Sequence, residues 1–294
     1  MALPVQMILN YTFLYICVFI ELFSLCYLFY AISRRNSPLR QAYFVIYLLG
    51  YIVDFTTKFS AVISFYGKFK NVCLWHNQFL FGISGLVLAL NRYTAIAYWN
   101  EHHRFWSFLP TCAWCIFLLL YPIIVDIGFI ASDPNGFTCL PDPALNEECE
   151  KVYGRIGVRQ CISNVITSIG SITLSAMTIL KIRQTSAPQI ARKLFIQSCV
   201  SNVIFAVFTI SLVFHGYMWI HKDTTNPTLL KVVNIIANSS NYARQCVNIV
   251  WLVVITRSLI RAGNKITMLS VTGTCSTTSN RGKTANIRTT FNKG

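Results

Sequence analysis

Asp54 and Lys58 stand four residues apart in "YIVDFTTKFS" (51–60), within an otherwise apolar stretch. On a helix that spacing puts an acid and a base on one face, one turn apart. Ionisable groups inside apolar segments are costly unless paired, and so are functional candidates by default. Glu21, Asp126 and Arg244 complete a set of five such residues. Two pairings follow: Asp54 with Lys58 along one helix, or Asp54 with Arg244 between the second and seventh apolar blocks. The first is a structural pair that lets the segment enter lipid. The second joins two helices whose relative movement is a switching element. Lys58 also qualifies as the counter-ion of a charged ligand.

A second group closes the third apolar block. "LALNRYTAIAYWNEHHRFW" (88–106) passes from apolar helix to polar loop through Asn91, Arg92 and Tyr93. The guanidinium of Arg92 is either snorkelling to the membrane boundary or acting as a switch that exchanges partners when helices part. Glu101, His102 and His103 follow, but adjacent residues project in different directions, so no metal site is expected there. Cys73 opens the same block, and Cys139 and Cys149 lie in the longest connection. A bridge from Cys73 to Cys139 or to Cys149 is expected on an oxidising side of the membrane, leaving one thiol free or bonded to Cys161. Phosphate loops, nucleophile elbows and zinc-binding His pairs are absent from the sequence, so neither an enzyme nor a cofactor is expected.

The elements that must hold these residues are legible in the composition. Of 294 residues 54% are hydrophobic and 12% charged, where a soluble domain carries roughly 25% charge. The apolar residues fall into blocks of the roughly 20 residues needed to cross a bilayer. The expected fold is an all-α membrane bundle of seven helices, near 7–32, 42–66, 73–99, 107–131, 157–181, 193–219 and 229–256. Pro38, Pro134, Pro141, Pro143, Pro188 and Pro227 fall in the connections, whereas Pro122 should kink the fourth helix. Residues 257–294 are basic and Ser/Thr-rich, which reads as a disordered tail.

Charge sets the orientation. Fifteen Lys and Arg lie in the first, third and fifth connections and the tail, against five on the opposite side. By the positive-inside rule the N-terminus is outside and the tail cytoplasmic. The formal net charge of +15 is therefore a matter of topology and not of nucleic-acid binding. "NYT" at Asn10 is then a glycosylation candidate on the outer side.

Seven helices, an outer N-terminus, Cys73 at the head of the third helix and Asn91-Arg92-Tyr93 at its foot resemble a G-protein-coupled receptor. More narrowly, "LALNRYTAIAYWNEHHRFW" and "IYLLGYIVDF" (46–55) are similar to the nematode serpentine chemoreceptors of the Srg superfamily, Srv-like or Srg-like. The resemblance implies a plasma-membrane receptor, in sensory cilia, for an external small-molecule cue. Its partners would be a heterotrimeric G protein and the lipid bilayer, and Arg92 would be the conformational lock. Two departures matter. Asn91 stands where the usual triplet has an acid, and "NIVWLVVI" (248–255) lacks the Asn-Pro-x-x-Tyr of rhodopsin-like receptors. The competing reading is a seven-helix transporter or channel that strings the intramembrane ionisable residues into one polar path. It lacks the internal repeats and broken helix pairs of such proteins.

Overall fold

A computed structural model describes residues 5–33, 42–63, 67–184 and 189–220, with scattered helical positions between 228 and 254. Nine α-helices run through the four continuous stretches, as α1 Val5–Ser33, α2 Ala42–Val62, α3 Gly67–Ala97, α4 Trp99–Phe105, α5 Phe108–Pro122, α6 Gly128–Ser132, α7 Gly136–Cys139, α8 Glu147–Gln184 and α9 Gln189–Ile220. Among the described residues five helical segments are long and apolar enough to cross a membrane, ending with Glu147–Lys181, and Cys199–Phe214 in α9 is a shorter apolar stretch. Their outer faces are greasy: Phe19 and Phe23 are 73% exposed and Phe108 85%. Large apolar side chains so exposed, with charges buried behind them, mark a bundle whose solvent is lipid. The chain is all-helical among its described residues and built as an integral membrane protein.

Three local features differ from the sequence expectation. First, α8 begins at Glu147, about ten residues before the apolar block. Asn146 Oδ1 accepts from Cys149 N at 2.8 Å, capping the helix, and Glu147, Glu148 and Glu150 in the first turn oppose the helix dipole favourably. Second, "NEHHRFW" is not an open loop but the helix α4. Trp106, just after it, donates from Nε1 to Thr94 Oγ1 at 2.8 Å and stacks on Trp114, the ring centroids 5.9 Å apart. Those contacts pull the segment onto the end of α3. Third, Pro122 is followed by a π-helical turn, Ile123–Ile127, and α6 continues the span. Proline lacks the N–H that would close an α-turn, and the ladder re-forms with wider spacing.

The bundle is organised around α3, which packs against α2, α5, α8 and α9. Glycine brings it close against α8. A β-carbon at Gly82 would lie 2.6 Å from Asn164 Oδ1 and closer still to Thr167 Oγ1. Without a hydrophobic force between helices in lipid, such small-residue contacts carry association through packing. Gly82→Val should therefore lower the melting temperature of the purified protein, at a cost of about 1–3 kcal/mol. Gly157→Ala, where a β-carbon meets nothing within 4 Å, should not. Equal melting of the two variants would remove the close-packing argument.

Candidate functional site

The bundle has two ends, one carrying α4 and the other α7. Toward the α7 end lie two separate clusters of buried polar groups. In the first, Lys58 Nζ bonds Glu21 Oε1 on α1 and, at 2.8 Å, Asp54 Oδ2 on its own helix. Asn77 Nδ2 on α3 donates to the other oxygen, Asp54 Oδ1, at 2.9 Å. All four are buried. The Asp54–Lys58 pair expected from spacing is present, and Glu21 joins it from another helix. One ammonium thus stitches two carboxylates together, which the low dielectric makes strong while intact and costly when broken. Arg244, the other partner considered for Asp54, lies outside the described residues.

The second cluster forms where the π-helical turn meets α3 and α8. Asp126 is fully buried. It accepts from Trp75 Nε1 at 2.7 Å and from Arg159 Nε on α8. Gln160 Nε2 donates to the Trp75 carbonyl at 3.3 Å, and the Arg159 guanidinium lies over the Phe129 ring, 5.2 Å from its centroid. Asp126 was legible as a buried acid. Arg159, Trp75 and Asn77 were missed, although the rule that flags Asp126 applies equally to an arginine in the fifth apolar block.

Above this cluster sits the connection between α6 and α8, and here the cysteine expectation is corrected. Cys139 is bonded to Cys149, ten residues on, and Cys73 is a free thiol. The reason is helical phase. Trp75 packs with Ile130, Cys139, Leu140 and Cys149 in one apolar cluster, and Cys73, two residues earlier, is turned about 200° away. Cys73 lies instead on the α2 side, where its carbonyl accepts from Thr57 Oγ1 at 3.3 Å. Closing so short a loop still contributes about 3 kcal/mol in the chain-entropy account. Non-reducing peptide mapping should return a single Cys139–Cys149 peptide and an alkylatable Cys73. A Cys73-linked peptide would overturn this pairing.

Between the clusters and the α4 end, a cavity of about 100 Å³ lies among α2, α3, α8 and α9. Asp54 lies at one extreme of its wall and Arg92 at the other, with Tyr43, Ser171 and Asn202 also lining it. Arg92 Nη2 donates to Tyr43 Oη, and its guanidinium carbon is 4.9 Å from the Tyr43 ring centroid. A cation stacked on a phenol and bonded to it ties α3 to α2 at this point. Asn91 beside it is buried, and Tyr93 packs edge-on against Tyr98 at 6.1 Å.

In α4, His102 Nδ1 lies 3.3 Å from Thr94 Oγ1. Burial, and then the neighbouring His103, push the His102 ring below the usual histidine value. Among the described residues no three His, Cys, Asp or Glu side chains gather as a metal set. Asn10 lies on α1 with its side chain outside the described residues, and the tail 257–294 is also outside them. No protein-family model matches the chain, and no curated protein is significantly similar to it.

Proposed function

We propose that this protein is a seven-helix receptor that detects an external small-molecule cue and signals through a heterotrimeric G protein. In this reading the N-terminus is outside, the α4 end faces the cytoplasm, and the protein works in the plasma membrane of sensory cilia. The observation that carries it is the Arg92–Tyr43 contact between α3 and α2. A guanidinium held across two helices by a phenol is a contact that separation of the helices breaks. Support also comes from the buried charges. They form two separate clusters, Glu21–Lys58–Asp54 and Asp126–Arg159. A transporter would want one continuous polar path.

The test is one residue with two readouts. Arg92→Ala should reach the membrane, bind agonist and fail to activate a G protein. A modest loss of agonist affinity should accompany it, because coupling between two sites is reciprocal and is worth about 1–3 kcal/mol. Tyr43→Phe removes the hydroxyl acceptor and keeps the ring, so it should raise basal signalling. Arg92→Ala signalling like the parent at matched membrane levels would overturn the reading.

A further inference from the structure

We infer that the cavity among α2, α3, α8 and α9 holds a single file of water, running from the level of Asp54 to that of Arg92 and open only toward the α4 end. Hydration of the bundle is independent of what the bundle signals, so the receptor reading is not needed here.

The walls are polar along their whole length. On α2, Tyr43, Tyr47, Tyr51 and Asp54 line the cavity at steps of about one helical turn. Facing them, Ser84 and Arg92 line it from α3, Ser171 from α8, and Ser201 and Asn202 from α9. The apolar lining residues, such as Ile46 and Leu80, lie between these groups and not at one end. Cavities that stay dry are apolar, whereas a polar one with two to four partners in reach takes water.

Three of the lining residues have hydrogen-bonding capacity that the protein leaves over. Ser171 is 3% exposed and makes no hydrogen bond with any described residue. Ser84 Oγ donates to the Phe81 carbonyl at 3.1 Å and keeps its lone pairs. Asn202 Nδ2 donates to Ser175 Oγ at 3.3 Å and keeps its second N–H. A buried polar group left dry is a loss that water recovers. Arg92 and Tyr43 already hold each other, and the file asks no more of them than to bound its end.

Length and volume together give the width. The α3 lining runs from Leu80 to Arg92, which is about 18 Å along the axis. The α2 lining, Tyr43 to Asp54, is about 16 Å by the same rise. Waters at a hydrogen-bond spacing of about 2.8 Å cover that length with about six or seven molecules. The cavity of about 100 Å³ has room for about seven to ten at roughly 10–15 Å³ each. The two counts meet at a file one water wide. An organic occupant would have to be equally extended and polar along all of its length.

The two ends differ. Asp54, Tyr51 and Leu80 are buried, whereas Arg92, Ser201 and Asn202 are half-buried, so water enters from the α4 end. The lining stops at Asp54, which makes the file blind and not a passage through the bundle. It places the Glu21–Lys58–Asp54 cluster in hydrogen-bond continuity with the α4 side.

Radiolytic footprinting of the full-length protein in lipid nanodiscs tests this, because radiolysis splits bound water in place and hydroxylates the side chain beside it. Tyr47 and Tyr51, 9% and 6% exposed, should be hydroxylated. Trp75 is as deeply buried, at 5%, but packs in the apolar cluster with Cys139. It should be hydroxylated several-fold less, although an indole is no less reactive than a phenol. Gly85 and Gly50 both line the file. A β-carbon at Gly85 would meet only Ser171 Oγ, at 3.8 Å, and one at Gly50 nothing within 4 Å. Gly85→Leu and Gly50→Leu therefore fill the file from opposite walls. Each should lower hydroxylation of Tyr47 and Tyr51 several-fold and leave the exposed Tyr98 unchanged. Unmodified Tyr47 and Tyr51 in the parent would mean a cavity that is dry or filled by an apolar molecule, and would overturn the inference. Equal modification of Trp75, or modification that persists in a folded filling variant, would do the same. If neither variant folds, the parent measurement decides alone.

Discussion

Replacing Lys58 with methionine should leave little folded protein in the membrane. Lys58 contacts both Glu21 and Asp54, and its removal strands two carboxylates inside α1 and α2. Removing one partner of a buried ion pair costs about 3–5 kcal/mol, because the remaining charge has neither water nor counter-ion. That is a large share of what holds a typical fold together. The triple change Lys58→Met, Glu21→Gln, Asp54→Asn should recover most of the yield, since a neutral set strands nothing. Fluorescence-detected size exclusion of the detergent extract measures both. Parental yield from Lys58→Met alone would mean that the cluster contributes nothing to folding. The same cycle with Asp54→Asn and Arg244→Met measures the pairing considered from sequence, and additivity there would dismiss it.

The Asp126–Arg159 pair should break unequally. Asp126 has a fully buried side chain, whereas 22% of the Arg159 side chain is exposed beside Phe129. Arg159→Met leaves a carboxylate with only the Trp75 N–H, at about 3–5 kcal/mol. Asp126→Asn keeps an acceptor for Trp75 and strands a guanidinium that can snorkel, so about 1–2 kcal/mol is expected. Thermal unfolding in one detergent should therefore rank the variants parent, Asp126→Asn, Arg159→Met. The reverse order would mean that Arg159, and not Asp126, is the group without an alternative. The double change should unfold near the milder single one.

What the sequence revealed, and what it hid, divides by range. Membrane helices announce themselves because lipid demands an unbroken apolar run of fixed length, and the blocks near 7–32, 42–66 and 107–131 coincide closely with α1, α2 and the α5–α6 span. The Asp54–Lys58 pair was legible because it is local, one turn on one helix. Glu21 was recognisable as a buried acid but not as a third member, since its meeting with Lys58 depends on how α1 is rotated against α2. The cysteine pairing failed for the same reason. Three thiols near one end give no clue to which face of α3 looks at the connection, and the face turned out to be that of Trp75. The cavity was invisible altogether, because it is made by residues from four helices, no two of which form a motif.

The π-helical turn at Ile123–Ile127 sets a phase as well as filling a gap. A single π-turn accommodates one residue more than an α-turn does, and one residue is about 100° of rotation. Everything beyond Pro122 is therefore rotated relative to where a regular helix would have carried it, and Asp126 is the residue whose direction depends on that offset. Deleting one residue from 123–127 would restore a regular repeat and, with it, swing the carboxylate from Arg159 toward lipid. The span would become a better helix and the bundle a worse one. A proline that looks like a simple breaker in the chain thus serves as an indexing device, deciding which side of the fourth span faces protein.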